Sequence, residues 1–152
     1  MKKNKAKKRP RYIYPTFNYR QKRLAERVAW KMLKALGLEG AVDTVALYAI
    51  PDEYADSDAA TKYYPEERVW CLVIKDNLSD DSLKEMVIHE SGHAAQQLLN
   101  EMKEGRLSVE GIGRWALEEK INTLFTESAL RNFGKIEEIC DIDESYYRQD
   151  GL

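Results

Sequence analysis

The chain has 152 residues, of which 43% are apolar, 10% aromatic and 33% charged. This length and composition fit one globular domain with a buried core and exclude a wholly disordered chain. No unbroken apolar run exceeds six residues, whereas a membrane-spanning helix needs about 20, so we expect no contact with a membrane. The basic N-terminus lacks the apolar stretch of a secretory signal, and two cysteines suit a reducing compartment. We therefore expect a cytoplasmic protein.

The formal net charge of −2 conceals an uneven distribution of charge along the chain. Residues 1–11 carry seven of the 24 basic residues and no acid, so the rest has 17 basic residues against 26 acidic ones. We expect a basic, flexible N-terminal arm over residues 1–15 and a single folded domain over residues 16–152. The arm either contacts nucleic-acid phosphates weakly or is a solvated tail. The acidic domain argues against a nucleic-acid groove in the folded part.

The hydrophobic pattern predicts, in chain order, a helix, a strand, a hairpin and two further helices. The helices are predicted over residues 21–38, 81–103 and 113–133, each ended by a glycine shortly afterwards. The first strand is predicted over residues 44–50, followed by a polar loop over residues 52–59. The hairpin covers residues 63–74, and its second strand, residues 69–74, is apolar enough to be buried. This order of elements predicts an α+β domain with a small sheet against a helical layer.

The two histidines of the chain, His89 and His93, flank Glu90 in the sequence His-Glu-Ser-Gly-His. Residues four apart lie on one face of a helix, so both imidazoles can bind a single zinc ion. Glu90 is then positioned to take a proton from water that the metal activates. The sequence therefore predicts a Zn²⁺ site with His89 and His93 as ligands and Glu90 as the catalytic general base.

A catalytic zinc site has three protein ligands, and no third histidine exists in this chain. At 100° per residue, Glu118 lies at the centre of the apolar face of the last predicted helix, between Trp115 and Phe125. Glu119 points about 100° away, towards solvent. A carboxylate that faces the core needs a strong partner, so we predict Glu118 as the third ligand. Asn122, one turn later, either hydrogen-bonds a ligand from outside the metal shell or is a polar residue on the helix flank.

Cys71 is the alternative third ligand, because one cysteine and two histidines also make a sound zinc site. Peptide deformylases combine a cysteine with an HExxH helix in this way, but their Glu-Gly-Cys-Leu-Ser sequence is absent here. The position of Cys71 within the apolar run of residues 69–74 suits a small core residue. We therefore favour packing as its role.

The motif and the sequence Glu118-Glu-Lys-Ile-Asn122-Thr-Leu-Phe125 together resemble the HExGH … ExxAN-x-F pattern of short gluzincin-type metallopeptidases. In particular, residues 45–133 are similar to the ImmA/IrrE-like proteins of phages and mobile elements. The resemblance implies a zincin-like α+β fold, in which a small mixed sheet with an edge strand packs on a helical layer. It also implies that the edge strand holds an extended substrate by strand addition, the substrate often being a regulatory protein such as a repressor.

We therefore expect a zinc-dependent metallopeptidase that hydrolyses a peptide bond in a protein substrate. The alternative is a metal-bearing regulatory or interaction module with little or no peptidase activity, which binds a protein or nucleic-acid partner. Because both histidines are assigned to the metal, the transition state needs another donor: a tyrosine, an arginine, a backbone N–H or zinc alone. The tyrosine candidates are Tyr63, Tyr64, Tyr146 and Tyr147.

Overall fold

The computed structural model describes residues 18–51 and 59–125. These residues form three α-helices, three β-strands and a short 3₁₀ turn, which confirms the α+β class and the small mixed sheet. The helices are α1 (Tyr19–Leu36), α2 (Asp80–Lys103) and α3 (Arg114–Leu124), and the turn is Glu39–Ala41. The strands are β1 (Thr44–Ile50), β2 (Ala59–Tyr64) and β3 (Val69–Lys75). The predicted basic arm lies outside the described residues.

The central strand of the sheet is β3, which pairs in parallel with β1 and antiparallel with β2. Tyr63 lies opposite Trp70 in the antiparallel pair, so the predicted hairpin is confirmed. However, β2 begins at Ala59, whereas the sequence placed the first hairpin strand at residue 63. Ala59 to Lys62 have little strand character of their own, and they are extended because they pair with β3.

One face of the sheet carries the core. Trp70, Leu72 and Ile74 of β3 are fully buried, while the alternate residues Val69, Cys71 and Val73 of the same strand are half-buried. Successive side chains of a strand point to opposite faces. The buried set belongs to one continuous apolar cluster with residues of α1 and α2, so these two helices cover that face.

The N-terminal ends of α1 and α2 are joined by an ion pair. Arg20 donates two hydrogen bonds to the carboxylate of Asp80, at 2.6 and 2.8 Å. The second helix is capped at its start by Ser79, whose hydroxyl accepts a hydrogen bond from the backbone N–H of Ser82. This helix begins one residue before its predicted start and ends at the predicted residue, Lys103.

The last helix, α3, is shorter and differently oriented than predicted. Phe125 is not helical (φ −117°, ψ 26°), so α3 ends at Leu124 and not at residue 133. Residues 126–133 lie outside the described part of the chain. The buried face consists of Leu117, Ile121 and Leu124, whereas Trp115 is 78% exposed. Because Trp115 is not a core residue, the buried face is centred on Leu117, about 100° from the direction of Glu118.

Among the described residues, no helix is both long enough and apolar enough to cross a membrane.

Candidate metal centre

The two histidine rings of α2 converge on one point. The Nε2 atoms of His89 and His93 lie 3.2 Å apart, and the rings are inclined at 80° to each other. Two nitrogens bound to one tetrahedral zinc at 2.0–2.1 Å are separated by about 3.3 Å. The same separation also allows a hydrogen bond between the rings when one Nε2 carries a proton. The separation of the two Nε2 atoms is therefore the one expected for two ligands of a shared zinc ion.

Glu90 points into the protein beside the histidines. Its side chain is 6% exposed, and its carboxylate belongs to a group with His89 and His93 whose donor atoms all lie within 4.8 Å. A cavity of about 390 Å³ opens between this part of α2 and the edge strand β2. It is lined by Ala59, Ala60, Thr61, Glu90, His93, Gln96 and Gln97. A molecule in this cavity therefore contacts the general-base candidate, one histidine and the sheet edge together.

Helices α2 and α3 run antiparallel. Phe125, at the end of α3, lies against Gly92 between the two histidines, while Glu118, seven residues earlier, faces Lys103 near the end of α2. The residue that follows α3 therefore packs directly on the motif. Gly92 allows this approach, because a β-carbon there would stand 2.7 Å from the Phe125 ring.

Glu118 does not lie with the histidines in this structure. Its carboxylate is 3.8 Å from Nζ of Lys103, its side chain is 46% exposed, and it is not part of the group formed by His89, Glu90 and His93. The prediction that Glu118 faces the core is wrong, because Leu117 and its apolar neighbours occupy that position. Glu119, as predicted, is exposed.

The remaining candidates for the metal shell are Asn122 and Cys71. Asn122 is exposed on α3. Cys71 is half-buried on the face of β3 opposite to Trp70 and Leu72, hence on the far side of the sheet from α2. Burial raises the pKa of the Cys71 thiol, which disfavours the thiolate that zinc would need. The structure therefore supports packing as the role of Cys71.

Neither described tyrosine candidate lines the cavity. The hydroxyl of Tyr63 is buried and donates a hydrogen bond to the backbone carbonyl of Ala41 at 2.7 Å. Burial also raises the pKa of Tyr63. Tyr64, the next residue on β2, is 42% exposed, and the ammonium of Lys62 lies 5.8 Å from the centre of its ring. Tyr146 and Tyr147 lie outside the described residues.

One residue of this region, Gln97, is not predicted by any motif in the sequence. It follows His93 by four residues, so it lies on the same helix face as the histidines. Its side-chain amide hydrogen-bonds the backbone of β2 at Thr61 and Tyr63. The spacing of His89, His93 and Gln97 was a signal for a shared face, but nothing in the sequence indicates that this face meets the edge of β2.

Comparisons with protein-family models, with curated proteins and with solved structures give no match for this chain.

Proposed function

We propose that this protein is a zinc-dependent metallopeptidase that hydrolyses a peptide bond in a protein substrate. The observation that carries the proposal is the 3.2 Å separation of Nε2 of His89 and Nε2 of His93, with the buried Glu90 beside them. The motif also lies next to a cavity with a sheet edge on its other side. An exposed edge is a common binding surface for an extended peptide.

Each residue of the motif has a specific task in this proposal. His89 and His93 would hold the metal through the lone pairs of their Nε2 atoms. Zinc in such a site supplies Lewis acidity and activates water for attack on a carbonyl. The carboxylate of Glu90 takes a proton from the attacking water and returns it to the leaving amine nitrogen. Its low exposure removes competing bulk water from this proton transfer.

Glu118 remains our proposal for the third ligand, on the basis of the resemblance of residues 118–125 to the ExxAN-x-F pattern. In this role its carboxylate must leave Lys103, since the two groups now lie 3.8 Å apart. A pair with both partners more than two-fifths exposed is weak, so the metal can compete for the carboxylate. Asn122 is proposed to support a ligand by a hydrogen bond once the metal is bound.

The decisive experiment compares Glu90→Gln with wild type. Purified full-length protein is loaded with zinc and incubated with a proteome-derived peptide library, and the products are identified by mass spectrometry. We expect Glu90→Gln to lower cleavage about 10²–10⁴-fold, the usual effect of losing a general base, with zinc content unchanged. Glu85→Gln, an exposed residue of the same helix, is the matched control and should cleave like wild type. A wild-type protein that binds zinc but cleaves nothing would refute the peptidase proposal.

One observation favours the alternative, a metal-bearing regulatory or interaction module. The ion pair of Glu118 with Lys103 leaves two histidines and Glu90 as the grouped donors of the described residues. Such a site suits weak metal binding better than catalysis. If Glu90→Gln keeps the full biological effect of the wild-type protein, this alternative is correct.

The basic residues 1–11 are proposed to add weak, non-specific contact with nucleic acid. Binding should fall steeply with rising salt and disappear when residues 1–11 are deleted, while peptide cleavage is retained. Binding that is insensitive to salt or to the deletion would contradict this proposal.

A further inference from the structure

The outer edge of β2 is hydrogen-bonded by a side chain of α2. Gln97 accepts a hydrogen bond from the backbone N–H of Tyr63 at 2.7 Å and donates one to the backbone carbonyl of Thr61 at 3.1 Å. These two backbone groups point away from β3, because they reach a helix and not the neighbouring strand. They are the groups that an added strand would use. At this point of the edge, the side-chain amide of Gln97 therefore makes the hydrogen bonds that a neighbouring strand would make.

The first half of β2, residues 59–61, lies at the cavity. Ala59 and Thr61 line the cavity together with Glu90 and His93. Gln97 lines the same cavity one helical turn beyond His93, and four residues of helix span about 6 Å. An extended peptide advances about 3.3 Å per residue. About two residues of an extended peptide therefore fit between the level of His93 and the amide of Gln97.

We propose that Gln97 is a positioning residue that closes one end of the peptide-binding cleft. An extended peptide that pairs with β2 can reach about two residues past the level of His93 and is stopped there. This inference rests on the proposed peptidase function and names its substrate class, extended peptides with a short segment on the Gln97 side of the cleaved bond.

The test uses Gln97→Met, which keeps the size of the side chain and removes both hydrogen bonds. One cleaved peptide is lengthened by one residue at a time on each side of the cleaved bond, and kcat/KM is measured for every member. For wild type, we expect kcat/KM to stop rising after about two residues on one side only. For Gln97→Met, further residues on that side should raise kcat/KM about tenfold, because Thr61 and Tyr63 become available for pairing.

A second readout does not depend on turnover. The same peptides are bound to Glu90→Gln and to the double variant Glu90→Gln with Gln97→Met, and Kd is measured by fluorescence anisotropy. The longer peptides should bind about tenfold more tightly to the double variant. Asn100→Ala, an exposed change on the same helix, should leave the length dependence as in wild type.

The outcomes separate the two proposals. If wild type cleaves peptides but Gln97→Met has the wild-type length dependence, the positioning role is refuted and the peptidase stands. If wild type cleaves no peptide, the peptidase and the role of Gln97 both fall. If Gln97→Met does not fold, Gln97→Ala replaces it with the same expected length dependence, since alanine also removes both hydrogen bonds.

Discussion

The ring of Phe125 lies against the backbone of Gly92, where a β-carbon would stand 2.7 Å from Cδ1 and 2.9 Å from Cγ of the ring. Gly92 is the fourth residue of the His-Glu-Ser-Gly-His motif, so this contact fixes α3 beside the two histidines. The close packing of Phe125 therefore explains why a glycine occupies this position of the motif. The contact with Phe125 also places the C-terminal end of α3 next to the candidate metal centre.

The contact predicts whether Gly92→Ala lowers or raises the free energy of unfolding, with and without the Phe125 ring. Gly92→Ala should lower the free energy of unfolding by about 1 kcal/mol, because overpacking costs about 1–3 kcal/mol and the helix preference of alanine returns up to about 1. In a Phe125→Ala background the clash is gone, so the same change should be neutral or stabilising. Urea denaturation of the four proteins measures both effects. If Gly92→Ala has the same effect in both backgrounds, the β-carbon of the alanine does not clash with the Phe125 ring.

Zinc should stabilise the fold, because it binds the native arrangement of His89 and His93 and not the unfolded chain. At a free zinc concentration about 100 times Kd, the expected gain is about 2.7 kcal/mol. For a domain of this size that gain raises Tm by roughly 5–10 °C. His93→Ala should show the same Tm with zinc and with a chelator. Calorimetry measures Tm of the wild-type protein under both conditions. If Tm is the same with zinc and with a chelator, the protein has no tight zinc site in its native state.

Glu118 and Glu119 form a matched pair for the third ligand. Glu118→Gln should weaken zinc affinity more than 100-fold, since even outer partners of metal ligands contribute 10–100-fold. Glu119→Gln changes an exposed neighbour with the same chemistry and should leave the affinity within about twofold. Competition titration with a chelating dye gives both values. Equal affinities for the two variants would remove Glu118 from the metal shell.

Tyr63 is expected to contribute to stability and not to turnover. Tyr63→Phe leaves the buried carbonyl of Ala41 without its donor, so we expect a loss of about 1–3 kcal/mol in the free energy of unfolding. Turnover and zinc content should be unchanged in this variant. Tyr64→Phe alters a half-exposed neighbour and should be neutral in denaturation. A large loss of turnover in folded Tyr63→Phe would restore this tyrosine as a transition-state donor.

The Arg20–Asp80 pair gives stability a defined pH dependence. The two hydrogen bonds from Arg20 hold the pKa of Asp80 below its usual value, so the pair stabilises the fold at pH above about 4, the pKa of an unfolded aspartate. This stabilisation is lost as pH falls through the lower pKa of the folded state. Asp80→Asn should therefore cost up to about 1 kcal/mol at pH 7, since both side chains are partly exposed, and progressively less below pH 4. Denaturation of wild type, Asp80→Asn and Arg20→Gln across this pH range measures the trend. A difference in the free energy of unfolding between wild type and the variants that grows as pH falls would contradict it.

Local sequence was sufficient for the features that depend on neighbours in the chain. The apolar spacing in α1 and α2 predicted the bounds of both helices to within two residues, because periodicity acts within a few turns. The convergence of His89 and His93 also follows from helix geometry alone, since the residues are four apart.

Only the tertiary structure decided which groups meet across the chain. Tyr63 and Gln97 are 34 residues apart, and their hydrogen bond exists because β2 lies over α2. The start of β2 at Ala59 depends on pairing with β3. The direction in which Glu118 points depends on which face of α3 packs against the core. Sequence periodicity counted Trp115 as a core residue, but burial is a property of the packed helices and leaves this side chain in solvent.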